Sequence, residues 1–225
     1  MEIKAAIFDM DGTLVDSLVF WDSFWSEFGK KYLGDENFKP AAELDKRVRT
    51  TIFNDALACI KEYVDVDATV EELIAFGNAG VVDFYKYSVP PKVGAHKLLD
   101  YLREQGIKIC IATATERRYV SVAMEACDLN ARVDAVFSCH DIGVSKDRPD
   151  IYLLAQKHFG FSVDEICVFE DSYVALETAK AAGFKTVGIY DKYNFEQERL
   201  AASADMYICE GQGLDSVIPY ICLKA

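Results

Sequence analysis

Asp9 and Asp11 stand two residues apart, directly before Gly12, at the end of a short apolar run. If the backbone turns after Asp9, as a glycine at position 12 permits, both carboxyl groups reach one site. One can then act as a nucleophile while the other protonates a leaving oxygen and afterwards activates water. A pair of like charges also raises the proton affinity of one member, which suits that division of labour. The same residues equally suit a plain turn in which Asp and Gly satisfy backbone geometry. Glu170 and Asp171 end a second apolar run, and two adjacent acids at a buried strand end call for a cation. With Asp9 they offer hard oxygen ligands of the kind Mg2+ prefers. Asp171 or Ser172 also reads as the cap of a following helix, which accounts for one acid and leaves its neighbour unexplained.

Thr113 closes a third apolar run, with Thr115 two residues on. A hydroxyl beside free backbone N–H groups can hold phosphate oxygens, and it can as well cap a helix. Lys146, in the polar segment GVSKDRPD, can neutralise a phosphate and orient a nucleophile, or simply be solvated.

These residues need elements to position them. Residues 3–8 read as a buried strand stopped by Asp9, Asp11 and Gly12. From Ser17 the period changes, and Leu18, Trp21, Trp25 and Phe28 trace one face of a helix. Further helical stretches are expected over 43–63 and 69–87, with no strand between them. After Pro90 and Pro91 the spacing predicts a helix over 95–104 stopped by Gly106, a strand over 107–112 and a helix over 117–127. Apolar runs at 135–138, 166–169, 186–189 and 206–209 alternate with helices beginning near Pro149 and Ser172, Gly183 fitting the stop of the latter. Strands alternating with helices imply an α/β fold, a Rossmann-like, mainly parallel sheet flanked by helices. Ligands bind such sheets at the carboxyl ends of the strands, the rim to which Asp9, Thr113 and Asp171 are assigned.

Composition narrows the classes. The 225 residues are 51% apolar and 27% charged, as in a globular chain, and the formal charge of −13 opposes nucleic acid and anionic membranes as partners. A locally positive site for a small anion is compatible with it. Seven cysteines, an odd number without a close pair, lie mostly in apolar segments. They favour reduced thiols and a cytoplasmic location. The first residues hold no basic-then-apolar leader, and no apolar stretch reaches membrane-spanning length, so neither secretion nor membrane insertion is expected.

Four motifs in order carry a resemblance. FDMDGTLVDS (Phe8 to Ser17), IATAT (Ile111 to Thr115), Lys146 with the RPD that follows it, and FEDS (Phe169 to Ser172) resemble the motifs of the haloacid dehalogenase-like hydrolase superfamily. The resemblance implies Asp9 as the nucleophile that forms an aspartyl-phosphate and Asp11 as general acid and then base. It implies Thr113, Ala114 and Lys146 around the phosphoryl group. Mg2+ would be held by the Asp9 carboxylate, the Met10 carbonyl and Asp171, with Glu170 close by or bound through water. Members specialised for dehalogenation generally lack the second aspartate, so Asp11 favours phosphoryl transfer, whose alkoxide leaving group needs a proton.

Residues 1–16 and 88–225 are then the catalytic core, and 17–87 resemble the family's helical cap, which reads the organic part of the substrate. In the cap the cluster DKRVR offers Lys46, Arg47 and Arg49, of which Arg49 is taken as the substrate contact; a solvated charged face is the alternative. Ala114 stands where many phosphoglycolate-type members have Asn, Asp147 replaces a common Pro, and Ala175 a common Gly. The expected activity is Mg2+-dependent hydrolysis of a small phosphorylated metabolite such as a sugar phosphate or phosphoglycolate. The alternatives are a sugar phosphomutase or a noncatalytic phosphate-binding protein. Oligomeric state, monomer or weak homodimer, is open.

Overall fold

The computed structural model describes residues 1–51 and 53–223. They divide into two compact units, one of Met1–Asp16 with Val89–Ala225 and one of Ser17–Ser88. Ser88 goes with the helices because its N–H still donates to the Phe84 carbonyl, closing the last turn.

In the first unit the strands are β1 (Glu2–Ile3), β2 (Ala5–Phe8), β3 (Lys108–Thr113), β4 (Ala135–Ser138), β5 (Ile166–Glu170), β6 (Lys185–Ile189), β7 (Met206–Ile208) and β8 (Cys222–Leu223). Six of them form one sheet in the order β4-β3-β2-β5-β6-β7, and every pairing in it is parallel. The fold is therefore the expected Rossmann-like α/β sheet. β2 is the first strand of that sheet in the chain and lies at its centre, so the connections diverge on either side of it, the place where such sheets bind ligands. All four residues of β2 are fully buried, as a strand covered on both faces requires.

The expected strand over 3–8 is broken at Lys4. Its N–H donates to the Glu165 carbonyl, while β1 pairs in parallel with β8. A two-residue strand is too short to leave a hydrophobic period, which is why β8 had no signal.

The second unit contains α1 (Phe20–Phe28), α2 (Ala42–Thr50), α3 (Phe53–Cys59) and α4 (Val70–Tyr87). The helix expected over 43–63 is two helices and a short 3-10 turn at Ile60–Glu62; Ile52, inside that span, lies outside the described residues. α4 starts as expected at Thr69, whose hydroxyl accepts from the Glu72 N–H while the Glu72 carboxylate accepts from the Thr69 N–H, a reciprocal cap. Gly77 lets α3 and α4 approach closely, since a Cβ there would lie 2.5 Å from Leu57. Phe20, Trp21, Phe24, Trp25 and Phe28 are all buried, and the rings of Phe20, Trp21 and Phe24 pack against those of Phe53, Phe76 and Phe84.

Around the sheet lie α5 (Ala95–Glu104), α6 (Arg117–Ala126), α7 (Cys139–Ile142), α8 (Asp150–Phe159), α9 (Tyr173–Ala181) and α10 (Gln197–Ser203). Five of the seven cysteines are buried free thiols. Among the described residues no helix is long and apolar enough to cross a membrane.

Candidate active site

Adjacent parallel strands bring the first acids together. Phe8 of β2 is in register with Phe169 of β5, the two rings stack at 4.2 Å, and the Asp9 N–H donates to the Phe169 carbonyl at 3.0 Å. The next residues on each strand, Asp9 and the Glu170–Asp171 pair, therefore emerge side by side. Beyond Asp9 the chain turns at Gly12, whose φ of 80° lies in the left-handed region. The Met10 carbonyl accepts the N–H groups of Leu14 at 2.9 Å and Val15 at 3.0 Å, with Thr13 at 3.3 Å. The Met10 oxygen, expected as a backbone ligand of the metal, thus also holds the shape of the turn.

The turn presents Asp11 to the loop after β3. Thr115 donates its hydroxyl to Asp11 Oδ2 at 2.6 Å, and the Thr115 N–H donates to the Thr113 hydroxyl at 3.0 Å. Ser138, at the end of β4, holds the Thr115 carbonyl at 2.7 Å. Thr113 is fully buried. Ala114, exposed between the two threonines, contributes only backbone to this loop.

Asp9, Glu170 and Asp171 are 8%, 1% and 5% exposed, and one carboxylate oxygen from each lies within 4.8 Å of the others. Lys146 inserts its ammonium between two of them, 2.5 Å from Asp9 Oδ1 and 2.5 Å from Glu170 Oε1. Tyr152, fully buried on α8, donates its hydroxyl to the same Glu170 oxygen at 2.8 Å. Asp171 takes the Thr13 hydroxyl on Oδ1 at 3.1 Å and the Asn194 amide on Oδ2 at 2.5 Å.

Three buried carboxylates against one ammonium leave a surplus of negative charge, and proton affinities show it. Burial raises Asp9 well above the ordinary carboxylate range; Lys146 opposes this, and the neighbouring acids Glu170, Asp171 and Asp11 add to it. Burial, with the charges of Glu170 and Asp191, raises Asp171 to about 7. Burial alone would lower Lys146, but Asp9 and Glu170 outweigh it and hold the ammonium above its usual value. A divalent cation fits this donor set: its ligands are hard oxygens, and its charge cancels what Lys146 leaves over.

Arg49 belongs to the helical unit. Its side chain is 7% exposed, and it donates to Asp45 Oδ2 at 2.9 Å, to the Leu18 carbonyl at 2.9 Å and to Asp22 Oδ1 at 2.7 Å. Of the departures from the motifs, Asp147 is exposed and accepts the Ser145 hydroxyl. Ala175 is buried, its N–H donating to Ser172 at the start of α9. Thr13, Tyr152 and Asn194 had no assigned part. Thr13 sits inside the first motif, where its hydroxyl reads as one more turn residue. Tyr152 and Asn194 lie in a helix and a polar loop whose patterns say nothing of the acids they touch.

A model of haloacid dehalogenase-like hydrolases matches residues 3–183. A phosphorylated carbohydrates phosphatase of Thermotoga maritima is 24% identical over 90% of this chain and 92% of its own. Glycerol-1-phosphate phosphohydrolase 1 of Saccharomyces cerevisiae is 24% identical over 87% of this chain and 78% of its own. The crystal structure of CbbY from Rhodobacter sphaeroides in complex with phosphate superposes with a TM-score of 0.74 at 22% identity, covering 92% of this chain and 93% of that one.

Proposed function

The chain belongs to the haloacid dehalogenase-like hydrolase family, and we propose that it is a Mg2+-dependent phosphatase of a small phosphorylated metabolite, a sugar phosphate or phosphoglycolate. The observation that carries this reading is the meeting of Asp9, Glu170, Asp171 and Lys146 at the carboxyl ends of adjacent strands. The relatives named for phosphorylated carbohydrates and glycerol phosphate support the substrate class.

Asp9, Glu170 and Asp171 would hold the ion. When bound, it neutralises the charge that separates Asp9 from a phosphate dianion and stabilises the phosphoryl oxygens during transfer. An Asp9 carboxylate oxygen attacks phosphorus; the ester P–O bond breaks as the Asp9–phosphorus bond forms, and the proton on Asp11 passes to the leaving oxygen. Asp11 then takes a proton from water as its oxygen attacks the aspartyl-phosphate, releasing phosphate and restoring Asp9. Lys146 fixes the Asp9 oxygen at its other side, Thr115 orients Asp11, and Thr113 with the backbone at Ala114 holds the non-bridging oxygens. Arg49 is assigned to the organic end of the substrate: an anion replacing the half-exposed Asp22 leaves its Asp45 and Leu18 bonds in place. The buried thiols support a cytoplasmic location.

The test is phosphate release over a panel of phosphomonoesters with and without Mg2+, with Asp9→Asn as control and a sugar phosphomutase assay alongside. Turnover that requires both Asp9 and the metal is expected. Folded wild type with neither turnover nor phosphoenzyme in any assay would sink the reading. Arg49→Ala should change specificity constants unevenly across the panel, and equal effects on good and poor substrates would remove it from the substrate site.

A further inference from the structure

Asp171 is held by Asn194 and Thr13, neither of which its sequence pattern marks as part of a site. Asn194, in the loop between β6 and α10, donates its Nδ2 group both to the Asp171 main-chain carbonyl at 2.8 Å and to Asp171 Oδ2 at 2.5 Å. Both partners are acceptors, so the amide is turned with its NH2 toward them. Thr13 serves the other carboxylate oxygen at 3.1 Å. One donor on each oxygen, from two segments far apart in sequence, fixes the plane of the carboxylate. It also leaves each oxygen a lone pair for an ion.

The Asn194 loop is itself anchored on a buried acid. Asp191 is 2% exposed; its Oδ2 accepts from Lys92 at 2.5 Å and its Oδ1 from the Tyr193 N–H at 2.9 Å. The Asp191 carbonyl accepts the Asn194 N–H at 3.0 Å and the Gln197 side chain at 2.9 Å. Lys92 in turn donates its N–H to the Leu14 carbonyl at 2.8 Å and lies 3.5 Å from Asp16. Asn194 is therefore not a loose loop residue that happens to touch an acid. It is presented by the buried Asp191, itself paired with the partly exposed Lys92, and it uses both NH2 hydrogens on a single residue.

We infer that Asn194 is a positioning residue of the metal site, setting the orientation in which Asp171 meets a divalent cation. This rests on the reading that Asp9, Glu170 and Asp171 hold such an ion. Partners of this kind are typically worth about 10–100-fold in metal affinity.

The experiment is direct binding of Mn2+, followed by its electron paramagnetic resonance signal, and of Mg2+ by calorimetry, to the full chain as wild type, Asn194→Ala, Thr13→Val and Asp171→Asn. Metal-free thermal midpoints are recorded for each. The expected result is wild-type binding, loss in Asp171→Asn, a dissociation constant raised about 10–100-fold in Asn194→Ala and a smaller rise in Thr13→Val. Half-saturating Mg2+ in turnover should rise in parallel, with kcat recovered at saturating Mg2+. Wild type that binds neither ion overturns the metal reading and this inference together. Wild type that binds while a folded Asn194→Ala binds equally well overturns the inference alone. If Asn194→Ala does not fold, Thr13→Val decides: an unchanged dissociation constant there removes the claim that donors on Asp171 set its affinity.

Discussion

In the helical unit the buried cation Arg49 meets two acids and a backbone carbonyl, and both acids reach solvent, Asp22 being 51% and Asp45 31% exposed. At the strand ends of the α/β unit three buried carboxylates face one ammonium. The first network is closed and its remaining charge is screened by water. The second is short of positive charge where its groups are largely withdrawn from water. A structural network saturates its charges, because a buried surplus is costly. A surplus that persists is a mark of a functional site, and the proposed cation and phosphate would answer it.

The sharpest way to break this contrast is to remove the nucleophile from the unbalanced network. Asp9→Asn keeps the shape and removes one of the surplus charges, so it should fold at least as well as wild type. Turnover should fall on the order of 10^4-fold or more, as for other essential nucleophiles. A variant that loses activity only by unfolding, seen in its thermal midpoint, would mean that Asp9 is structural.

Metal is the next largest lever, because it should stabilise one unit's site by cancelling the surplus. At free Mg2+ about 100-fold above its dissociation constant the gain is about 2.7 kcal/mol, or roughly 5–10 °C in midpoint for a chain of this length. The pH dependence has a defined sign. Asp171 holds its proton to about 7 in the metal-free fold, above the ~3.9 of an unfolded aspartate. The folded state therefore binds more protons between these values, and its stability falls as pH rises through that window. Chelated protein should thus melt lower at pH 8 than at pH 6, and Mg2+ should add more at pH 8. Equal Mg2+ shifts at the two pH values would break the link between the surplus and the ion.

The same contrast explains how much of the molecule was legible in its sequence. The strand Ala135–Ser138 followed from its apolar run and α4 from its helical stretch, since burial acts locally there, whereas the Thr69–Glu72 cap is seen only in the structure. Asp9, Lys146 and the 170–171 acids were legible because each ends an apolar run or lies in an ordered motif. Tyr152 and Asn194 were not, because their partners are 18 and 23 residues away and nothing in a helix face or a polar loop encodes such a meeting. The hydrogen bonds that the Met10 carbonyl accepts within the turn were likewise not legible, because they depend on how the chain folds back after Gly12.

Arg49 tests the closed network. Replacing it with Met keeps the stem and removes the fork, taking one donor each from the Leu18 carbonyl, Asp22 and Asp45, while Asp45 keeps the Trp25 indole N–H at 3.0 Å. With Asp22 and Asp45 able to turn to water, the cost should be about 1–2 kcal/mol, read as a lower midpoint for the transition that includes the helical unit. Arg49→Lys should recover only part of it, since a point charge cannot span three acceptors. Full recovery with Lys would mean that charge alone matters and that the fork geometry is incidental.

The smallest expected effect separates the two kinds of network within the site itself. Tyr152 donates to the Glu170 oxygen that also accepts Lys146, so removing the hydroxyl leaves that oxygen still paired. Tyr152→Phe should therefore cost about 1 kcal/mol of stability, with the ring still filling its place beside Phe184. Glu170, now held by Lys146 alone, pulls the ammonium from Asp9, and turnover should fall a few-fold with little change in KM. A loss as large as that from removing Asp9 would show that the tyrosine takes part in the reaction. No change in rate would show that Lys146 is positioned by charge alone.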